Sequence, residues 1–233
     1  MNEPLPLVLV PGLLASARLY APQIPQLWRT GPVTIADHTR DDSISAIARR
    51  ILAGAPRLFA LAGLSMGGYI AFEIVRQASE RVARLALLDT SAWPDTSEQS
   101  AARRAQMTLV SQGRFAAMCD ALFPRLVHRT RREDGALRAE FDLMAAEVGA
   151  QAYTRQQTAN IHRADSRATL GAIRCPTLVL VGDGDELTPP ERAAEMARGI
   201  AGARLVTVPQ CGHLSTLEQP AEVTRALSEW LES

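Results

Sequence analysis

Three short segments of this chain hold residue types that together can move an acyl group. Gly63-Leu64-Ser65-Met66-Gly67 sets a serine between glycines, Gly182-Asp183-Gly184-Asp185 offers two carboxylates, and Gly212-His213 brings an imidazole. A serine hydroxyl is a weak nucleophile until a base takes its proton. The base works best when a carboxylate fixes its tautomer and stabilises its charged form. The three segments come in the order Ser, Asp, His, and each follows an apolar run of strand length, at 58–64, 175–181 and 203–208. After Ser65, Ile70, Ala71, Ile74, Val75 and Ala78 recur at helical spacing. Ser65 therefore belongs at a sharp turn from a buried strand into a helix, with Gly63 and Gly67 giving the backbone room.

Two carboxylates follow Gly182, and a turn rich in Gly and Asp is common after any strand. A lone histidine after a strand is also more often a packing residue than a base. The ordered set of three favours the catalytic reading of Ser65 and His213, and spacing alone leaves Asp183 and Asp185 both open. Asp89, which ends the preceding apolar run, is a further candidate acid.

These segments resemble the α/β-hydrolase family, in its small single-domain bacterial esterase form. The likeness covers nearly the whole chain and is strongest at 5–14, 58–91, 173–190 and 203–232. The serine segment is similar to the strand–turn–helix elbow by which that fold presents its nucleophile. Leu180-Val-Gly-Asp-Gly-Asp185 is similar to the family's acid turn, which implies Asp185 rather than Asp183. Gly212-His-Leu-Ser-Thr-Leu-Glu-Gln-Pro220 is similar to its histidine loop. The resemblance implies two oxyanion-hole amides, on Leu13 after the first strand and on Met66 after the nucleophile. It departs from the family at Pro11 and Leu64, where histidines are usual. The glycine-rich turn expected after the strand at 33–36 is replaced by Asp37-His38-Thr39-Arg40. His38 is a possible pocket residue there, though a solvated loop histidine is the plainer reading.

Strands are expected near 7–10, 33–36, 58–62, 85–88, 177–181 and 204–208, alternating with helices such as 43–53, capped by Asp42 or Ser43. Such alternation implies one α/β domain over 1–233, a mainly parallel sheet with helices on both faces. From about 94 to 170 the strand signal stops and amphipathic helices take over, divided by turn signals at Gly113, Pro124, Gly135 and Gly149. The resemblance implies that this stretch is a helical cap inserted over the site. Met107, Leu109, Val110, Phe115, Met118, Leu122 and Phe123 could line its pocket or only seat its helices. Arg125, Arg129, Arg131 and Arg132 form a basic run around His128 that could receive an acidic carrier protein or an anionic acyl group. A solvated face is the plainer reading.

The 233 residues are 47% apolar with a formal net charge of zero. That balance exerts no general pull toward nucleic acid or anionic lipid. All 25 Lys+Arg residues are arginine, to which no function is attached. No run approaches a membrane span, and no secretion signal is visible at the start of the chain. Cys119, Cys175 and Cys211 lack metal-ligand spacing and suit a reducing cytoplasm as free thiols. No metal or organic cofactor is expected. The expected activity is hydrolysis of small or medium acyl esters through an acyl-enzyme. Two alternatives stand beside it: a thioesterase or methyl-esterase acting on carrier-bound acyl groups, and a ligand receptor built on a hydrolase scaffold.

Overall fold

Alternate side chains of the apolar runs feed two different cores, and that alternation makes them strands. In the computed structural model, which describes residues 4–233, Leu7 and Leu9 join one core with Ala60, Ala62, Leu64 and Leu88. Val8 and Val10 join the other with Phe59, Leu61, Leu85 and Leu87. The first residues of the stretch read for a secretion signal, 1–3, lie outside the described residues. The strands are β1 (Leu7–Val10), β2 (Val33–Ile35), β3 (Phe59–Leu64), β4 (Val82–Leu88), β5 (Thr177–Gly182) and β6 (Arg204–Val208). They form one parallel sheet in the order β2-β1-β3-β4-β5-β6. The pairings Val10 with Gly63, Leu64 with Leu88, Leu88 with Leu180 and Gly182 with Val208 bring the carboxyl ends level. The turns that follow β1, β3, β5 and β6 therefore open on one rim, where ligands sit in open α/β sheets.

Helices α1 (Ile24–Leu27), α2 (Ile44–Gly54) and α3 (Met66–Ala78) lie between the early strands. Ser43 caps α2 by accepting the Ala46 N–H at 3.2 Å. The stretch between β4 and β5 holds α4 (Ser97–Ser111), α5 (Phe115–Leu126), α6 (Gly135–Ile161) and α7 (Arg167–Leu170), with no strand among them. Helices α8 (Pro190–Gly199), α9 (Ser215–Glu218) and α10 (Pro220–Glu232) complete the chain. Residues of α2, α3 and α8 bury against one face of the sheet, and those of α1 and α10 against the other.

Two of the expected turn signals act as written: Gly113, at φ 77°, follows α4, and Gly149, at φ 76°, breaks the course of α6. Gly135 opens α6. Pro124 is a correction, because it lies inside α5, which runs on to Leu126. Proline has no N–H, so α5 forgoes the bond to the Asp120 carbonyl and ends two residues later. No helix among the described residues is long and apolar enough to cross a membrane.

Candidate active site

Ser65 occupies the turn from β3 into α3 at φ 56°. A non-glycine residue in this left-handed region costs of order 1–3 kcal/mol, and surrounding contacts must hold it. Those contacts are present. The Ser65 N–H donates to Leu88 O at 2.9 Å, and its carbonyl accepts from Thr90 Oγ1 at 2.7 Å. A β-carbon at Gly63 would collide with the Gly67 carbonyl, and one at Gly67 with the Val10 carbonyl. Both glycines are thus required by space. Gly68, which the sequence did not single out, is required too, since a β-carbon there would strike Thr90.

The Ser65 hydroxyl donates to His213 Nε2 at 2.8 Å, and His213 Nδ1–H donates to Asp185 Oδ2 at 2.8 Å. The three side chains, 120 and 28 residues apart in sequence, form one chain of hydrogen bonds. Asp185 is nearly sealed from water, and its Oδ1 accepts the Leu187 and Thr188 N–H groups at 2.9 and 3.0 Å. Thr188 Oγ1 adds a bond to Oδ2 at 2.7 Å. Burial alone would push this carboxyl up, but the His213 charge and these bonds hold it below its usual range. Burial likewise opposes charge on His213, yet the Asp185 carboxylate outweighs it and leaves the imidazole above its usual value.

The other two candidate carboxylates make different contacts. Asp183 is exposed and accepts the Cys211 N–H at 3.1 Å. Asp89 is fully buried, accepts the Gly182 N–H at 3.0 Å and bonds Ser215 Oγ. Burial, and then the neighbouring charge of Asp185, raise its carboxyl well above the usual range. Cys211 is buried among these acids, and burial pushes its thiol far up, which suits the packing reading of this residue.

A residue the sequence reading passed over holds the His213 loop. Glu218, 3% exposed, accepts the Gly212 N–H at 3.0 Å and the Leu214 N–H at 3.2 Å through Oε1, on either side of His213. Its Oε2 accepts the His128 N–H at 2.7 Å. Leu126 O, at the end of α5, accepts from the N–H groups of both His213 and Leu214, at 2.9 and 3.1 Å. The end of α5 is therefore clamped to the histidine loop. Glu218 was legible only as the acid five residues beyond His213 in the family-like loop.

The Leu13 and Met66 amides have no protein acceptor among the described residues, and Leu13 lines the same pocket as Ser65. The loop carrying Leu13 is held from two sides. Gln156 of α6 accepts the Leu14 N–H at 3.1 Å, and His38 Nε2 donates to Gly12 O at 2.8 Å with the Gln156 amide 3.0 Å away. His38 is 2% exposed, and burial pushes its imidazole down, toward the neutral form. It is neither a pocket residue nor a solvated one, and both earlier readings of it are corrected. The loop after β2 folds inward because the Gly12 carbonyl gives the ring a partner there.

The pocket over Ser65 holds about 240 Å³. Of the apolar residues considered for its lining, Leu122 alone reaches it, joined by Leu126, Leu187 and Leu214. Val110, Met118 and Phe123 are core, and Phe115 packs against them. The basic run divides as well. Arg131 pairs with Asp134 at 2.7 Å and donates to Glu218 O at 3.1 Å. Arg132 pairs with Glu186 at 2.7 Å, while Arg125 and Arg129 have no partner among the described residues and Arg125 lines the pocket. Among the described residues no group of three or more His, Cys, Asp or Glu is placed to hold a metal ion.

Residues 5–226 match the Alpha/beta hydrolase family. The chain belongs to this family. Among similar members, the pimeloyl-[acyl-carrier protein] methyl ester esterase of Chromobacterium violaceum is 29% identical over 202 residues, 81% of this chain and 76% of that protein. A thermophilic esterase from Thermogutta terrifontis, solved with malate bound, superposes with a TM-score of 0.89 at 30% identity, covering 100% of this chain and 91% of that one. The enol-lactonase of Burkholderia xenovorans gives the same TM-score of 0.89 at 23% identity, over 100% and 93%, and there the likeness is of fold alone. As an α/β-hydrolase, this chain is a hydrolase set among esterases.

Proposed function

We propose that this α/β-hydrolase cleaves small carboxylic esters through a covalent acyl-enzyme on Ser65. The observation that carries the reading is the hydrogen-bonded chain Ser65–His213–Asp185, opening on a pocket that Leu13 lines, with the Leu13 and Met66 amides unpartnered among the described residues. Ser65 Oγ attacks the ester carbonyl carbon while His213 Nε2 takes its proton. The carbonyl oxygen, now an anion, accepts from the Leu13 and Met66 N–H groups. The tetrahedral intermediate collapses, its C–O bond to the alcohol breaks, and His213 returns the proton to the leaving oxygen. Water then attacks the acyl-serine with His213 as base again, releasing the acid and restoring Ser65. Asp185 keeps Nδ1 protonated throughout, so that Nε2 is the acceptor. No step calls on a metal or organic cofactor.

The pocket is smaller than the roughly 300–1,000 Å³ of sites for drug-sized ligands, which favours small or medium acyl groups. The free thiols of Cys119, Cys175 and Cys211 suit a reducing cytoplasm. A second reading, hydrolysis of a methyl ester on an acyl carrier protein, draws on the name of the Chromobacterium relative. Exposed Arg129 is the unpaired cation of the basic run that an acidic carrier could meet outside the pocket. The receptor reading is the weakest of the three, since a binding site has no use for an aligned nucleophile and base.

The test is Ser65→Ala. Loss of a nucleophile of this type costs a factor of about 10⁶ in turnover. A purified, folded variant that keeps a tenth of the wild-type rate on aryl esters would overturn the mechanism.

A further inference from the structure

The wall of the Ser65 pocket is far more positive than the chain as a whole. Arg103, Arg125, Arg163 and Arg192 all line it, with Glu186 as its single carboxylate. Glu186 is already paired with Arg132, which is outside the pocket. Arg192 lies 3.6 Å from Glu195 and stacks over Trp93. Arg103 and Arg163 share one counter-ion: Arg103 Nε meets Asp95 Oδ2 at 2.7 Å, and Arg163 Nη1 bonds Asp95 Oδ1. Two guanidinium groups on one carboxylate leave a positive charge over. Arg125 adds a second, having no partner among the described residues. In a chain of zero net charge, this surplus is local to the pocket.

Two of these cations, Arg163 and Arg103, are also held in place by several bonds. Arg163 is 8% exposed, with Nε bonded to Trp93 O at 3.0 Å, Nη1 also to Asn160 O at 3.0 Å, and its guanidinium 4.3 Å from the centre of the Tyr69 ring. Arg103 Nη1 donates to Gln157 Oε1 at 2.7 Å. Neither arginine's Nη2 has a partner among the described residues. A guanidinium carries five N–H donors, so each keeps an Nη2 pair for a ligand. Asn160, 1% exposed, lines the pocket beside them, and its Oδ1 has no hydrogen-bond partner. A carboxamide presents either its oxygen or its NH2 by a half turn, so this side chain can complete a donor set.

We infer that the substrate of the Ser65 site is a small ester carrying a second, ionised carboxyl group, held by Arg103, Arg163 and Arg125. This rests on the ester-hydrolase reading above and deepens it. Arginine forks bind carboxylates with charge-assisted bonds, and pinned side chains lose little entropy in doing so. The anion would restore the balance that Asp95 alone does not supply. The carboxyl can belong to the acyl or the alcohol part, and the assay separates the two.

Each acid is compared with its primary amide, which keeps the shape and removes the charge. Monomethyl glutarate against its amide tests the acyl side, and O-acetylglycolate against O-acetylglycolamide tests the alcohol side. In one pair the acid should show a kcat/KM at least about tenfold above its amide. Arg125→Gln, which breaks no hydrogen bond or ion pair among the described residues, and Arg103→Gln should each lower the acid's kcat/KM by about tenfold, mainly through KM. The amide should stay within about twofold, and the difference should shrink as salt rises. Equal treatment of acid and amide in both pairs overturns the inference. So do variants that lower acid and amide together, the mark of a purely structural role for these arginines.

Calorimetric titration of folded Ser65→Ala with the same acids reads binding without turnover. No preference for the acids there overturns the carboxylate site, even if wild type hydrolyses neutral aryl esters and the hydrolase reading stands. Binding of the acids, with no ester of any kind hydrolysed by wild type, overturns the hydrolase reading and keeps the site.

Discussion

Asp185, Asp183 and Asp89 follow the ends of adjacent strands, and their surroundings give them different chemistry. Asp185 faces His213 with four donors on its two oxygens. Asp183 ties down the Cys211 N–H at the surface, and Asp89 is a buried group whose environment favours its neutral form. Asp185→Asn should therefore lower turnover by roughly 10⁴ through loss of tautomer control, and Asp183→Asn far less. The reverse ranking in steady-state assays would move the acid. The sign of the pH effect follows from His213, which as the proposed base acts only when neutral. Its imidazole is raised above the ordinary 6.5, so kcat/KM should fall as pH drops through a value above that figure. Asp185→Asn removes the charge that raises it, and the acid limb of the residual activity should move to lower pH. A limb that stays in place would mean that another group titrates. The acid turn was legible because its residues are close in sequence. Thr188 and Glu218 were not singled out, because a hydrogen bond to a distant backbone leaves no mark on local spacing.

At the scale of elements, the site depends on two loops held by partners far along the chain. The Gly12–Leu14 loop is fastened by His38 and Gln156, and the proposed donor at Leu13 is a backbone amide. Leu13→Ala should keep most activity, with any loss falling on substrate fit. Leu13→Pro removes the N–H itself and should lower turnover by about 10² to 10³. Thermal unfolding and circular dichroism check that the proline variant is folded. If it then matches Leu13→Ala, the amide is not a donor. The histidine loop is fastened by Glu218 and by Leu126 O at the end of α5. Small misplacements of a base can cost on the order of 10²-fold. Glu218→Ala should accordingly reduce kcat by about ten- to a hundredfold with little change in KM, and Glu218→Gln, which retains an acceptor, should recover part of the loss. A change confined to KM would place Glu218 with substrate binding instead.

At the scale of the molecule, the sheet was readable because its inner strands β1, β3, β4 and β5 are buried on both faces over most of their length and so appear as apolar runs, while the edge strands β2 and β6 are partly open to solvent. The helices between β4 and β5 were readable as helices but not as a surface, since which side chains face pocket, core or water depends on how they cross. That is why the run 125–132 looked like one basic patch, although the structure gives its arginines three different settings. Arg131 and Arg132 tie α5, α6 and the acid turn together through Pro124 O, Asp134 and Glu186, and Arg131 also reaches Glu218 O. Exposed ion pairs are worth about 0.2–1 kcal/mol each. Charge reversal at both positions should then lower Tm by a few degrees for a chain of this size and depress turnover of all esters alike. Arg129 has no such duty. If an acidic carrier protein docks here, Arg129→Glu should leave Tm and neutral aryl esters unchanged. It should weaken turnover of the carrier-bound ester severalfold at low ionic strength, and the effect should fade as salt rises. Unchanged turnover of the carrier-bound ester by the folded Arg129→Glu variant would leave no role in docking for the cation of the run that lies outside the pocket without a partner among the described residues. The carrier reading would then have no docking charge left to stand on, and the small-ester reading would remain.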